Sequence, residues 1–150
     1  DIRPTTVFVF ENLESVVAME PTPGAVVVHG SGYAVARLGQ IPWIRDARIL
    51  YWGDLDSHGF NILNHIREHC GEVRSVLMDS VTLETYRDLW GREPSPATGT
   101  MSYLTEAEEL TLEAVRSLGN IRMEQERITW DHARTALRQA VSDQSEDQTG

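Results

Sequence analysis

Four short runs rich in β-branched and aromatic residues constrain this chain more than any other feature. They are Val7-Phe8-Val9-Phe10, Ala25-Val26-Val27-Val28, Arg48-Ile49-Leu50-Tyr51-Trp52 and residues 73–78. Each is too short for a helix and shows no alternation of polar and apolar residues, so each reads as a strand covered on both faces. Between them the apolar spacing turns helical. Residues 12–19 carry Leu13, Val16 and Val17 and stop at Pro21-Thr22-Pro23-Gly24; residues 33–38 suit a short helix; Phe60, Ile62, Leu63 and Ile66 mark one that runs to about His69 before Gly71. Strand–helix alternation with buried strands predicts an α/β fold around a mostly parallel four-stranded sheet flanked by helices.

The second half departs from that rhythm. Residues 82–90 read as a helix and residues 92–100, with Pro94, Pro96 and Gly99, as a loop. Thr105-Glu106-Ala107-Glu108 opens a helix over 105–118 with a capping box. Residues 120–128 read as an added strand and 131–141 as a last helix. Residues 1–141 are thus expected to form one domain. Residues 142–150, with Asp143, Glu146 and Asp147 and no basic residue, are expected to be a disordered acidic tail. The first residue is Asp1 rather than Met, which suggests the C-terminal piece of a longer protein.

Composition excludes several chemistries. The single cysteine, Cys70, cannot form an intrachain disulfide or a cysteine-built zinc site. All 13 basic residues are arginine, so no P-loop or Schiff-base lysine exists here. No stretch has the length or apolarity of a membrane span or signal peptide, which points to a cytoplasmic protein. The net charge of −10 argues against a basic nucleic-acid surface. Clustered carboxylates can instead gather a divalent cation, which reverses the local field.

The strand ends supply such a cluster. Glu11 follows the first strand, Asp54 and Asp56 the third, and Asp79 the fourth. Ligands of doubly wound sheets lie at these ends. Converging carboxylates offer hard oxygen donors suited to Mg²⁺ or Mn²⁺. In Gly53-Asp54-Leu55-Asp56-Ser57-His58-Gly59 the two acids share a side if the backbone is extended, and the helix that follows would turn its first amides toward the same crevice, where they could hold phosphate. The plainer alternative is that Asp54 and Asp56 cap a helix or shape a turn.

A strand ending in Glu11, then one ending in Asp54-Leu55-Asp56-Ser57-His58-Gly59-Phe60, resembles the Toprim domain, and its Asp-x-Asp-x-x-Gly form is similar to the topoisomerase VI A-subunit branch. Further blocks extend the likeness over nearly the whole chain: Glu11-Asn12-Leu13-Glu14-Ser15, Gly30-Ser31-Gly32-Tyr33-Ala34, Tyr51-Trp52-Gly53, Val76-Leu77-Met78-Asp79 and Glu124-Gln125-Glu126-Arg127-Ile128. Together these resemble the C-terminal domain of the JetD (MksG) family, the nuclease subunit of Wadjet plasmid-defence systems. The resemblance implies a Toprim fold and a divalent-metal-dependent DNA endonuclease that cuts foreign circular DNA. It implies a condensin-like SMC motor complex and double-stranded DNA as partners, and a homodimer in the full-length protein. The nucleophilic tyrosine of the topoisomerase relatives belongs to a separate winged-helix domain that is not seen here.

Phosphodiester hydrolysis needs charge neutralised on the phosphate and an activated water, which oxygen-ligated metal can supply. Glu11, Asp54 and Asp56 are the expected catalytic and metal-binding residues. Glu124 and Glu126 would share a face of an extended segment and complete a second metal site, with a solvated ladder as the alternative. Gly30, Ser31 and Gly32 could bring amides to a phosphate, or form a plain turn. His58 could touch phosphate or orient Asp56. Asp79 could join the cluster or only cap a helix. Arg37, Arg45 and Arg48 could hold DNA backbone. Two other functions compete. A haloacid-dehalogenase-like phosphatase also uses Asp-x-Asp, but after its first core strand, with Gly-Thr following and a lysine elsewhere. A non-catalytic Toprim-shaped docking or dimerisation module would have no need of the three acids.

Overall fold

The computed structural model describes the backbone of residues 3–146 and the side chains of residues 3–143. Four parallel strands form the central sheet: β1 (Thr6–Phe10), β2 (Ala25–His29), β3 (Arg48–Trp52) and β4 (Glu72–Ser75), in the order β2-β1-β3-β4. The two central strands are the most apolar runs of the sequence. Val7–Phe10 and Ile49–Trp52 are all 1 % exposed or less, as burial on both faces requires. The chain leaves β1 toward β2 on one side and returns to β3 on the other. The order therefore reverses between β1 and β3, and a crevice opens at their carboxyl ends.

Helices cover the sheet: α1 (Leu13–Ala18), the four-residue α2 (Pro42–Arg45), α3 (Ser57–His69), α4 (Ser80–Thr85), α5 (Glu106–Ser117) and α6 (Trp130–Glu146). The predicted helix over 33–38 is a 3-10 helix, Gly32–Gln40, and residues 82–90 divide into α4 and a 3-10 turn, Arg87–Leu89. The capping box of α5 forms as expected between Thr105 and Glu108. Glu108 also reaches Arg67 of α3 and Ser75 of β4, tying three elements together through one buried carboxylate.

Three expectations are corrected. The fourth strand ends at Ser75 rather than Met78, because Leu77 takes a left-handed conformation (φ 57°), and Val76, Leu77 and Met78 are buried as a turn. Residues 120–128 add no strand to the central sheet. Only Ile121–Arg122 (β6) is extended, and it pairs antiparallel with β5 (Gly91–Arg92) in a separate two-stranded ladder. Positive φ at Gly119 and Asn120 turns the chain toward β5 instead, and residues 125–127 coil into a 3-10 turn. Finally, α6 does not stop at Val141. No glycine or proline follows until Gly150, and the helix continues to Glu146. The rest of the expected tail, residues 147–150, lies outside the described residues.

Candidate metal centre

Glu11 leaves β1 where the Phe10–Trp52 register sets it beside Gly53, and its amide donates to Trp52 O at 3.3 Å. Its carboxylate is held by the following turn, where Gly32 N donates to Oε2 at 2.7 Å. The other oxygen, Oε1, is buried and has no hydrogen-bond partner. Burial raises the pKa of Glu11, and the charge of Asp54 adds to that, against the Gly32 hydrogen bond and the attraction of His29. Gly30 is glycine for a contact reason: a Cβ there would lie 2.1 Å from Glu11 Oε1.

Residues 54–56 are extended, as the i, i+2 reading requires. Leu55 forms an antiparallel bridge with Met123, with N···O distances of 3.0 and 3.1 Å, and the two flanking aspartates emerge on one side. Asp54 Oδ1 accepts from Gln125 N at 2.7 Å. Asp56 Oδ1 accepts from Gly59 N at 2.7 Å, which makes Asp56 the N-cap of α3. Arg122 faces both: Nη2 lies 3.5 Å from Asp54 Oδ2, Nε 3.6 Å from Asp56 Oδ2, and Nη2 3.5 Å from Glu124 Oε1. Burial raises Asp54, with Glu126 and Glu124 adding repulsion against the Gln125 amide and Arg122. Burial, then repulsion from Glu93 and Asp54, lifts Asp56 to about 6. Tyr51 closes the floor. Its hydroxyl is raised well above its ordinary value by burial and by Glu11, Asp54 and Asp56, so it stays protonated beneath them.

Glu11, Asp54 and Asp56, with His58, Glu93 and Arg122, line one cleft of about 360 Å³. Among the described residues no group of three or more His, Cys, Asp or Glu side chains is arranged so that it could hold a metal ion as it stands. What exists is an open cluster of desolvated carboxylates with one guanidinium between them. Carboxylate oxygens are the donor type that hard divalent cations take, and Glu11 Oε1 is a buried acceptor without a hydrogen-bond partner.

The family model for the C-terminal region of the Wadjet protein JetD matches residues 1–137. The chain belongs to the JetD C-terminal family. No curated protein matches it. The match spans the whole α/β core and all three acids, and the parallel sheet with its flanking helices agrees with the expected Toprim-like architecture. Wadjet membership implies a complex with other proteins. No described helix is long and apolar enough to cross a membrane.

In this JetD-family domain Glu124, Glu126 and the first amides of α3 depart from their expected roles, while Asp79 and the Gly30–Gly32 turn take the plainer of their two. Glu124 and Glu126 do not share a strand face. Glu124 pairs with Arg122 and with Arg127 at 3.0 Å, and Glu126 is exposed in the 3-10 turn, although both charges are felt at Asp54. The first amides of α3 are not free for phosphate, since Glu93 takes Ser57 N (3.2 Å) and His58 N (3.3 Å) and Asp56 takes Gly59 N. In the Gly30-Ser31-Gly32 turn, Gly30 N is bonded to Phe10 O and Gly32 N to Glu11, so this turn positions Glu11. His58 is held by Tyr33 Oη (2.6 Å) and Ser95 O (2.8 Å). Asp79 caps α4 by accepting from Thr82 N at 2.7 Å. Arg48 begins β3, at the opposite end of the sheet from the crevice, and pairs with Glu72; Arg45 pairs with its neighbour Asp46.

Three residues of the site escaped sequence reasoning. Glu93 stood in a proline-bearing loop with no periodicity to mark it. Arg122 offered one trace, a charge between the apolar Ile121 and Met123. Gln125 binds both central strand ends, its amide to Asp54 and its side-chain oxygen to Asn12 N at 3.2 Å, and it is 1 % exposed.

Proposed function

We propose that this chain is a divalent-metal-dependent DNA endonuclease domain that cleaves foreign circular DNA within a Wadjet complex. The observation that carries the reading is the delivery of Glu11, Asp54 and Asp56 by the two central strands to one desolvated crevice at the switch point of the sheet. All three carboxylates are raised in pKa, so their burial and mutual repulsion are not fully balanced by the protein. Structural carboxylates are normally balanced, as Glu108 is by Arg67.

Glu11, Asp54 and Asp56 would hold Mg²⁺ or Mn²⁺. Bound there, the cation would neutralise the scissile phosphate and acidify a water. Asp54 and Asp56 offer their Oδ2 atoms, which the Gln125 and Gly59 amides leave free and which face Arg122 at 3.5 and 3.6 Å. Glu11 offers Oε1, and its raised pKa suits it to accept the proton of an attacking water. Glu124 and Glu126 set the field around Asp54 and would serve a second ion after rearrangement of the 3-10 turn. With a charge of −10 the chain repels DNA on its own. A condensin-like SMC motor, a second copy of the full-length protein and its remaining segments would supply most of the affinity, in the bacterial cytoplasm.

The test is cleavage of circular DNA by the assembled complex with Mg²⁺ or Mn²⁺, comparing wild type with Glu11→Gln. The variant is expected to fold normally and to lose about 10²–10⁴-fold in rate, the worth of a positioned acid or base. Near wild-type cleavage would remove Glu11 from the mechanism. Absence of metal-dependent cleavage in the wild type would favour a docking module. Metal-dependent hydrolysis of a small phosphate ester alone would favour a phosphatase.

A further inference from the structure

Arg122 does not behave like a structural arginine. Several guanidinium groups elsewhere in the chain dock closely on a carboxylate, Arg48 on Glu72 at 2.7 Å and Arg45 on Asp46 at 2.9 Å. Arg122 instead stands 3.5–3.6 Å from three carboxylates at once, those of Asp54, Asp56 and Glu124. Its Nε is buried with no hydrogen-bond partner, a cost that a docked guanidinium avoids. Its side chain is nevertheless 42 % exposed, at the mouth of the cleft. A cation centred among carboxylates, with one long hydrogen bond from Nη2 to Asp54 Oδ2 at 3.5 Å and open to solvent on one side, is held mainly by charge and can leave.

β6 contributes a further constraint. The backbone around Arg122 is pinned over the site by the Leu55–Met123 bridge and by Gln125 N on Asp54. The arginine cannot withdraw far if its guanidinium is displaced. It would swing to the rim, with its fork of donors beside the cluster, where an anion brought in by the cation would lie.

We propose that Arg122 is the resident counter-ion of the acid cluster, that a divalent cation displaces it, and that its freed guanidinium then holds a phosphate of the DNA strand to be cut. This rests on the metal-dependent nuclease reading. It makes two predictions of opposite sign for one substitution, a pattern that a purely structural role does not produce.

The experiment is calorimetric titration of Mn²⁺ into the 150-residue chain and into Arg122→Gln, followed by binding of a short duplex to the Ca²⁺-loaded proteins over a range of salt. Removing the competitor is expected to tighten Mn²⁺ binding about tenfold or more, as loss of a neighbouring like charge does for other cations. The same variant is expected to bind duplex more weakly, with a log–log salt slope shallower by about 1. Arg122→Lys, which keeps a charge but lacks the fork, is expected to fall between the two on both readings. Unchanged or weaker Mn²⁺ binding in Arg122→Gln overturns the counter-ion role and leaves the nuclease reading standing. Mn²⁺ binding by neither protein overturns the metal reading as well. Equal duplex affinity, including none measurable in either at low salt, overturns the phosphate role. If Arg122→Gln does not fold, Arg122→Lys decides by the same criteria.

Discussion

Replacing Asp56 by Asn separates the two jobs this residue performs. Its Oδ1 caps α3 through Gly59 N, and asparagine is an equally good N-cap. Its charge, by contrast, is a burden on the metal-free fold. Burial and the neighbouring Glu93 and Asp54 lift its pKa from 3.8 to about 6. At about 1.4 kcal/mol per pKa unit, ionising this group costs the folded state about 3 kcal/mol. Loss of the long contact to Arg122 Nε and the unmatched amide of the new side chain take back part of the gain. Asp56→Asn is therefore expected to stabilise the metal-free chain by about 1–3 kcal/mol at pH 7.5, or roughly 2–12 °C in Tm.

The pH dependence carries the sharper test. With its pKa raised, folded Asp56 binds more protons than the unfolded chain between about pH 4 and pH 6. Its contribution to stability is therefore present below pH 4 and is lost as pH rises through about 6. The advantage of Asp56→Asn should vanish near pH 4, grow through pH 5 and level off above pH 6.5. Urea unfolding of both proteins in chelator across that range measures it. A variant no more stable than wild type at pH 7.5, or one whose advantage does not change with pH, refutes the reasoning. Added Mn²⁺ should then stabilise the wild type by mass action and the variant far less.

Three other outcomes follow from single contacts. Gly59→Ala should cost more than about 2 kcal/mol in urea unfolding, because the new Cβ would lie 2.0 Å from the Asp54 carbonyl oxygen, backbone that cannot yield. Gly30→Ala meets the carboxylate end of Glu11 and, at 3.3 Å, Val9 Cγ1, side chains rather than backbone, so it should keep the fold at a cost of about 1 kcal/mol while lowering DNA cleavage at least about tenfold. Arg67→Met should destabilise by about 3–5 kcal/mol, leaving Glu108 buried without its cation. Burial works to raise Glu108, but Arg67, Ser75 and the Thr105 amide outweigh it and hold the carboxyl below its ordinary value. Its stabilisation is present above about pH 4.5 and lost as pH falls further, and urea unfolding should show that acid limb flattened in Arg67→Met.

The sheet was legible because its signal is local. Residues 7–10 and 49–52 are apolar at every position, which only strands buried on both faces tolerate, and the acids follow directly at the strand ends. The Asp54–Asp56 pair was legible for the same reason, since period two in an extended segment needs no partner to be known. The missing parts depend on pairings far apart in the chain. β6 finds β5 some thirty residues away, and two residues per strand leave no periodic trace. Glu93 reaches Ser57 and His58 across more than thirty residues, so nothing around Arg92-Glu93-Pro94 marks it as the cap of another helix. Glu124 and Glu126 share no face because period-two alternation ends where the chain turns into a 3-10 conformation, a turn that nothing local in the sequence marks.

The capping of α3 clarifies what the acids of this site are for. A helix N-terminus attracts negative charge, and one carboxylate satisfies two or three of its amides. Here two carboxylates are assigned to it, Glu93 on Ser57 and His58, and Asp56 on Gly59. Glu93 takes three donors when the Ser57 hydroxyl at 2.7 Å is included. It has little acceptor capacity left for the cleft. Asp56 takes one and keeps Oδ2 turned toward Asp54 and Arg122. Asparagine at position 56 would cap as well, without the repulsion that lifts this carboxyl to about 6. Capping therefore accounts for an oxygen at this position but not for a charge. Under the proposed function that charge serves a divalent cation in place of Arg122, the positive group now facing it, and the same argument covers Glu11, whose Oε2 is held by Gly32 while its buried Oε1 has no hydrogen-bond partner.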